Sequence, residues 1–399
     1  MDIVWAMGRT AVIKRPGSPE KLYNSKMHAH IILSKGALIQ NIQQIRQAIG
    51  QAKKIIAVVK ANAYGHGLKE VVESIETQTD AFAIDDIQEL IALRKLTDKD
   101  IYVLGYVCRE DLSTLIQNNG IPVVYDSDTL KYINTVAENN QKTIGVNIKI
   151  DAYLGRQGVL VENVGELLDT LKNCPHLQLR GVYSHFSNIE DVDNLTHAQK
   201  QIETFRKALQ IVDEHGYTNY EKHISSTAGI LLYEHSAPDY THVRLGIGLY
   251  GLWPSQKVQE RVQEGISLVQ VLTWTSCIAQ VKTVPKDFPI GYGCTYITER
   301  ETTIGIVPQG YSDGYDRSLS NKGEMLVGGK RCPILGRVAM NMCVIDVSGV
   351  EGVTVEDEVV LIGSQGDETI SADYIAVLTD TIAYEVVARI SPFLRRRIV

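Results

Sequence analysis

Short apolar runs rich in β-branched residues recur between residues 55 and 245, and this alternation with helical segments constrains the fold more than any other feature. The runs are Ile55–Lys60, Ala81–Ile84, Ile101–Tyr106, Ile121–Tyr125, Gly145–Ile150, Leu179–His185, Lys222–Ser225 and Thr241–Leu245. Eight strand–helix units are typical of a (β/α)8 barrel, whereas a doubly wound open sheet needs fewer strands for this length. We therefore predict an α/β fold whose first domain is a TIM-type barrel.

The character of the sequence changes on either side of this region. Residues 1–26 show little periodicity and are predicted to extend outside the fold, and residues 28–33 read as a strand that leads into a helix ending at Gly50. After Gly251, long β-rich runs and one helical pattern predict a mainly antiparallel β domain. The predicted bounds are 1–26 for the extension, 27–260 for the barrel and 261–399 for the β domain.

Composition excludes several classes of function. A net charge of −7 disfavours nucleic acid or an anionic membrane as the main partner. No run is long and apolar enough to span a bilayer, and the short apolar patch at residues 3–7 lacks the flanks of a secretory signal. The six cysteines form no CxxC pair and no zinc-like cluster with histidine, so we expect no metal site. Reduced thiols of this kind are typical of a cytoplasmic enzyme.

The first barrel run ends in a lysine, within the stretch Val58-Val-Lys60-Ala-Asn-Ala-Tyr64-Gly-His-Gly67. A lysine at the end of a strand that is buried on both faces is costly unless its amine is paired, uncharged or covalently used. A lone lysine in such a place most often snorkels to the surface. The alternative is an amine that forms a Schiff base with a carbonyl compound, and this stretch by itself leaves both interpretations open.

Two later loops have the composition of a phosphate site. In a barrel of this type the chemistry lies at the carboxyl ends of the strands, and phosphate often binds in the loops after strands seven and eight. The seventh run leads into Ser225-Ser226-Thr227 before a helix, and the eighth into Arg244-Leu245-Gly246-Ile247-Gly248. Each loop alone is weak evidence, since Ser-Ser-Thr is a common helix N-cap. Together with Lys60, they point to pyridoxal 5′-phosphate (PLP).

Strands five and six also end in polar residues. Lys149 lies at the end of strand five and is followed by Arg156, and His185 lies at the end of strand six. A single histidine at such a position is more often a hydrogen-bonded residue of the core or rim than a ligand. Several cationic and neutral donors that converge on one barrel mouth are harder to explain by packing alone.

The stretch Val58–Gly67 closely resembles the cofactor-lysine motif of alanine racemases, the fold-type III PLP enzymes, and the resemblance continues to the C-terminus. It implies that Lys60 holds PLP as a Schiff base and is one of two acid/base residues. It also implies that Arg244 faces the pyridine nitrogen, and that Arg156 and His185 lie at the cofactor. The resemblance assigns the cofactor phosphate to Tyr64, Ser226, Thr227, Gly246 and Ile247.

In the second domain, Ile290–Cys294 resembles the segment that carries the family's second catalytic residue, which implies that Tyr292 acts in the active site of a partner subunit. The implied assembly is a homodimer with shared sites. Racemisation removes a proton from one face and returns it to the other, so it needs two groups. Because free tyrosine has a pKa of about 10, we expect His185 and Arg244 to supply a cationic environment. Without the motif, Tyr292 would be as readily explained as a turn aromatic.

Three further positions follow from the resemblance. Tyr311 is expected to line the substrate entrance, and the backbone at Met340 is expected to hold the substrate carboxylate together with Arg156. Lys149 occupies the position at which many family members carry a carbamylated lysine that positions this arginine.

Some positions depart from the family pattern. The usual aspartate after the motif methionine is Asn341, the Asp-Thr-Gly-Met stretch reads Asp151-Ala-Tyr-Leu154, and a proline is replaced by Leu245. Aligning the C-terminus puts Pro392 where a phosphate-contacting tyrosine is common, which would remove a hydroxyl from the pocket. These changes leave the two-base chemistry intact and bear on the substrate.

The resemblance therefore implies racemisation of alanine, supplying D-alanine for peptidoglycan. The alternative is a serine or broad-specificity racemase on the same scaffold. A decarboxylase or aldolase of this fold needs no second base such as Tyr292, and a PLP carrier would lack the β domain.

Overall fold

The structure, a computed structural model, describes residues 29–234, 239–262 and 265–399. The extension predicted at residues 1–26 lies outside the described residues. The strands are β1 (His30–Leu33), β2 (Lys54–Val58), β3 (Ala81–Ile84), β4 (Ile101–Val103), β5 (Gly120–Val124), β6 (Ile144–Lys149), β7 (Leu177–Tyr183), β8 (Glu221–His223), β9 (His242–Leu245), β10 (Leu272–Cys277), β11 (Gln280–Val284), β12 (Pro289–Ile290), β13 (Tyr296–Ile297), β14 (Thr302–Val307), β15 (Glu324–Val327), β16 (Lys330–Pro333), β17 (Cys343–Asp346), β18 (Glu358–Gln365), β19 (Glu368–Ile370) and β20 (Arg395–Ile398).

The α-helices of the first domain alternate with its strands, and a pair of helices lies near the C-terminus. They are Lys35–Ile49, Leu68–Ile75, Ile87–Arg94, Leu112–Gln117, Ser127–Asn139, Val164–Lys172, Thr196–Glu214, Thr227–Leu232, Gln256–Val262, Ala372–Thr379 and Ala383–Ala388. None of the helices in the described ranges combines the length and apolarity that a membrane crossing requires.

The first domain is a nearly closed barrel of eight parallel strands, ordered β8-β7-β6-β5-β4-β3-β2-β9. The gap between β8 and β9 is bridged by backbone hydrogen bonds from Thr241 N–H to Lys222 O, 2.9 Å, and from Arg244 N–H to Ser225 O, 3.0 Å. Each of the eight apolar runs coincides with one strand, so the predicted fold class is confirmed.

Alternation along the strands builds both layers of the barrel core. Ile56 and Val58 on β2 join Tyr102 on β4 in a cluster inside the barrel. The residues between them, Ile55 and Ala57, belong to the large core that includes the surrounding helices. Strands buried on both faces in this way read as continuous apolar runs, which explains why the sequence revealed them.

The second domain consists mainly of antiparallel sheets. One sheet has the order β16-β15-β18-β10-β1-β20 with β19 beside β18, and smaller sheets are β11-β14-β17 and β12-β13. The predicted helix at 371–379 is present as Ala372–Thr379, with Ser371 Oγ accepting a hydrogen bond from Tyr374 N–H over 3.0 Å. The prediction of a mainly antiparallel β domain is therefore confirmed.

The first strand belongs to this second domain, although the sequence grouped it with the barrel. β1 pairs antiparallel with β10 and parallel with β20. Only its alternate residues Ile31 and Leu33 are fully buried, whereas β3 is buried at every position. One-sided burial is typical of a strand in an antiparallel sheet, so the chain enters the barrel only with helix Lys35–Ile49.

Candidate active site

A cavity of about 600 Å³ opens at the carboxyl ends of the barrel strands. Its volume lies in the range of small-molecule sites. The residues of its wall that the sequence predicted are Lys60, Tyr64, Lys149, Arg156, His185, Ser226, Thr227, Arg244, Gly246 and Ile247. The structure therefore brings together in one place every residue that we assigned to the cofactor.

Lys60 leads into a turn of unusual handedness. Ala61, Asn62, Ala63 and Tyr64 all have φ of 52° or 53°, so the backbone after the lysine winds as a left-handed helical turn. For four residues with side chains, this conformation costs roughly 4 to 8 kcal/mol. Such strain persists only where the surroundings enforce it, and it gathers at functional sites.

The Lys60 ammonium lies 3.0 Å from Asp85 Oδ1, at the end of the neighbouring strand β3. The side chains of the pair are 39% and 50% exposed, so the lysine points into the open cavity rather than into the core. Asp85 lies in no recognised motif, and the sequence analysis did not identify it as a site residue. Its position one residue before the helix N-cap Asp86 gave no sign of contact with Lys60.

Arg244 is a buried cation in the wall of the cavity. Its guanidinium donates to Ser184 O at 2.7 Å, to His185 Nδ1 at 3.2 Å and to His223 Nδ1, and it forms no ion pair within the described ranges. Burial lowers the pKa of Arg244 to about 10, so it stays charged at neutral pH.

Both histidines beside Arg244 are neutral. Burial, reinforced by Arg244, lowers the pKa of His185 and His223 well below the usual value of 6.5. Because arginine can only donate, each Nδ1 is an acceptor and the ring proton is on Nε2. We expected His185 to be a cationic neighbour of a catalytic tyrosine, and this expectation is wrong. Of the two expected neighbours, His185 and Arg244, only Arg244 carries a charge.

The loops after β8 and β9 form a compact cradle. Thr227 Oγ1 accepts a hydrogen bond from Gly248 N–H over 3.1 Å, which locks the two loops together. A Cβ added to Gly246 would lie 3.1 Å from Tyr64 Oη, so the tyrosine hydroxyl packs directly over this backbone. Hydroxyls and close backbone amides of this kind suit a phosphate group.

Lys149 is at the end of β6 and Arg156 is in the loop that follows, and both line the cavity. Burial, with repulsion from Arg156, Arg244 and Lys60, lowers the pKa of Lys149 to about 8. The loop that carries Arg156 is fixed by Asp151, whose carboxylate accepts backbone hydrogen bonds from residues 154, 155 and 156 at 2.8 to 3.1 Å. Because of its low pKa, Lys149 is a buried amine that loses its proton easily.

Tyr384, in helix Ala383–Ala388, also lines the cavity, and its ring centroid is 6.2 Å from that of Tyr64. We predicted from the alignment that Pro392 removes a hydroxyl from this wall, and the structure corrects this. Tyr384 supplies the aromatic hydroxyl, whereas Pro392 is exposed and is not part of the cavity wall. The second domain brings Tyr384 to the barrel mouth, which the spacing of the sequence could not show.

Tyr292, Tyr311 and Met340 lie outside this cavity, on the surface of the second domain. They are 73%, 42% and 55% exposed. Tyr292 is in a turn whose flanking Gly291 and Gly293 have φ of 71° and 74°. Tyr311 N–H donates to Ala339 O over 3.1 Å, so the segments of Tyr311 and Met340 are joined.

Family models of the N-terminal and C-terminal domains of alanine racemase match residues 33–254 and 271–398. Alanine racemase 1 of Caldanaerobacter subterraneus subsp. tengcongensis is 36% identical over 359 residues, which are 89% of this chain and 90% of that protein. The crystal structure of alanine racemase from Bacillus anthracis with bound L-Ala-P is 30% identical, with a TM-score of 0.88 over 94% of this chain and 96% of that one.

A further structure shares the fold at lower identity. Alanine racemase from Bartonella henselae, with covalently bound pyridoxal phosphate, is 23% identical and has a TM-score of 0.81 over 94% of this chain and all of its own. The matches to both domains extend over nearly the whole described chain. The chain belongs to the alanine racemase family and is therefore a racemase.

Proposed function

We propose that this enzyme interconverts L-alanine and D-alanine with PLP, using Lys60 and the Tyr292 of a partner subunit as its two bases. The observation that carries the proposal is that Lys60, the buried Arg244 and the cradle at Gly246 meet in one cavity. Its relatives from Caldanaerobacter and Bacillus, both named alanine racemase, support alanine as the substrate.

The residues present fit PLP. The cavity wall carries four cations, Lys60, Lys149, Arg156 and Arg244, against Asp85 and Glu190. A net positive site of this kind suits a phosphate and a substrate carboxylate together. Tyr64, Ser226, Thr227, Gly246, Ile247 and Tyr384 would hold the phosphate. When bound, PLP supplies a carbonyl carbon for covalent attachment and a conjugated ring that stabilises negative charge at the substrate α-carbon.

Arg244 would face the pyridine nitrogen of bound PLP and set its protonation. A guanidinium cannot give up its proton near neutral pH, so it would donate a hydrogen bond to the ring nitrogen and leave that nitrogen unprotonated. Neutral His185 and His223 hold the guanidinium in place by accepting from it. An unprotonated ring would be a weak electron sink, which would favour return of the proton to the α-carbon over side reactions.

Two residues move the proton at the α-carbon. Lys60 acts on one face and Tyr292 of the partner subunit on the other, because inversion needs a group on each side. The exposed position of Tyr292, outside the cavity of its own chain, supports a shared site in a homodimer. Tyr311 would border the substrate entrance on the same surface.

Arg156 and the backbone at Met340 of the partner subunit would hold the substrate carboxylate. Lys149 would act on Arg156, and its low pKa supports carbamylation, since only a neutral amine attacks carbon dioxide. We propose a cytoplasmic role in supplying D-alanine for peptidoglycan.

A serine or broad-specificity racemase is the second candidate. Asn341 motivates it: its side-chain amide donates to Ser312 Oγ over 2.7 Å on the exposed surface beside Met340. A neutral amide there replaces the carboxylate usual in the family, and one changed polar group near a substrate can shift preference strongly.

Proton NMR in D₂O with L-alanine and L-serine tests the proposal. We expect loss of the α-proton together with formation of the D-isomer, faster for alanine. Tyr292→Phe should lower racemisation by about 10² to 10⁴-fold while PLP stays bound. Inversion mainly of serine would support the second candidate, and no exchange with any amino acid would contradict both.

A further inference from the structure

The left-handed turn after Lys60 is held at both ends by charged side chains from distant elements. At its start, Ala61 N–H donates to Glu89 Oε1 over 2.5 Å. At its end, Gly65 O accepts from Arg396 Nη2 over 2.7 Å. A carboxylate on the first N–H and a cation on the last carbonyl are the groups that satisfy the ends of ordinary helices.

We propose that Glu89 and Arg396 are positioning residues that cap this strained turn and thereby aim Lys60 and Tyr64 into the cavity. The inference rests on the proposed function for its link to PLP. The caps themselves stand on the geometry of the chain.

Glu89 ties the turn to the neighbouring strand end. Its second oxygen, Oε2, accepts from Asp85 N–H over 2.8 Å, so one carboxylate joins the loop of Lys60 to the loop of its ion-pair partner. Glu89 is itself fixed in the first turn of helix Ile87–Arg94, because Asp86 Oδ1 accepts from its N–H over 2.9 Å.

Arg396 ties the turn to the end of the chain. It lies on β20, opposite Ile31 of β1, and its Nη1 donates to Ser391 O and Leu394 O at 2.7 and 2.6 Å. The guanidinium thus joins carbonyls of the C-terminal segment to Gly65 O. The two segments touch directly, since a Cβ added to Gly65 would lie 1.9 Å from Val387 O.

Capping gives the second domain a role within the site of its own chain, separate from that of Tyr292 in a partner. Without the caps, the turn has a more relaxed right-handed or extended alternative, and Lys60 then spends less time in the geometry that PLP requires.

The test uses full-length Glu89→Gln and Arg396→Met proteins with matched controls. Gln88→Ala changes an exposed residue of the same helical turn, and Arg397→Met changes an exposed arginine of the same strand. Two quantities are measured: hydrogen exchange of the Ala63, Gly65 and Gly67 amides without cofactor, and PLP trapped on Lys60 by borohydride after dialysis.

We expect these amides to exchange about tenfold faster or more in both cap variants, with less PLP retained, because each loses a charge-assisted hydrogen bond. The controls should match the wild type. The exchange rate and the PLP retention of Arg396→Lys should lie between those of Arg396→Met and the wild type. One ammonium cannot span three carbonyls as a guanidinium does.

Exchange in Arg396→Met equal to that in Arg397→Met would overturn the capping role. Faster exchange with unchanged PLP retention would overturn the link to the cofactor. If Arg396→Met does not fold, Arg396→Lys decides by the same comparison. A wild-type protein that retains no PLP would instead contradict the proposed function, while the exchange data still test the caps.

Discussion

Lys60 and Asp85 form an ion pair of 3.0 Å across the ends of two adjacent barrel strands. Since the pair is partly exposed, it contributes under about 1 kcal/mol to folding. It must open before the lysine can bond to a carbonyl carbon. We predict that Asp85→Asn leaves the unfolding midpoint nearly unchanged and speeds PLP incorporation into the cofactor-free protein by up to about fivefold. Stopped-flow absorbance measures the rate, and slower incorporation would show that Asp85 assists attachment instead.

The cradle at Gly246 is tight for a side chain. A Cβ there would lie 3.1 Å from Tyr64 Oη, in the space proposed for the phosphate. We predict that Gly246→Ala weakens PLP binding about tenfold or more, because the added methyl displaces an anion from its backbone donors. Gly349→Ala is the control, since nothing lies within 4 Å of the added carbon. Equal PLP affinity in the two variants, measured by fluorescence titration, would argue against this phosphate position.

The low pKa of Lys149, about 8, predicts modification by carbon dioxide at mildly alkaline pH. The amine is half neutral near its pKa, so the carbamate should form at a pH at which ordinary lysines are fully charged. In ¹³C-bicarbonate, NMR should show one carbamate carbonyl that grows between pH 7 and 8.5. The signal should be absent from Lys149→Met, and its persistence there would assign it to another amine.

Three buried histidines and the partly buried His185 make the stability of the fold depend on pH. Burial lowers the pKa of His66 and His242 to about 4, and that of His185 and His223 well below 6.5. Below about pH 6.5 the histidines become protonated in the unfolded chain but stay neutral in the native protein. The free energy of unfolding therefore falls as pH falls. Each histidine contributes about 1.4 kcal/mol per pH unit in this window.

His242 tests this relation because it lies on β9 and is not part of the cavity wall. His242→Gln should reduce the slope of unfolding free energy against pH by about 1.4 kcal/mol per unit between pH 6 and 5. Urea titrations at several pH values measure the slope. An unchanged slope would mean that His242 is already protonated in the native state at pH 5.

Much of the fold could be predicted because buried parallel strands leave continuous apolar runs. β2 through β9 were recognised in this way. β1 was wrongly grouped with the barrel, because its short apolar run does not indicate which strand it pairs with. Strand pairing between β1 and β20 joins the two ends of the described chain, and no local pattern encodes such a contact.

The residues of the candidate site likewise form two groups: those that lie in local sequence motifs, and those that only the packing of the two domains brings to the site. Lys60, Tyr64 and Arg244 lie in local motifs at strand ends, so the sequence could predict that they meet. Tyr384 and Arg396 reach the cavity loops from the second domain, and their positions depend on domain packing that sequence spacing does not express. The neutral state of His185 likewise depends on burial.

The shared active site is the central claim, and subunit mixing tests it most directly. Lys60→Ala and Tyr292→Phe proteins should each be nearly inactive. After they are unfolded together and refolded in equal amounts, half of the dimers are hybrids, and each hybrid has one intact site. We predict recovery of about a quarter of the wild-type racemase activity. No recovery, with hybrid dimers demonstrated by native mass spectrometry, would contradict the assignment of Tyr292 to the partner's site.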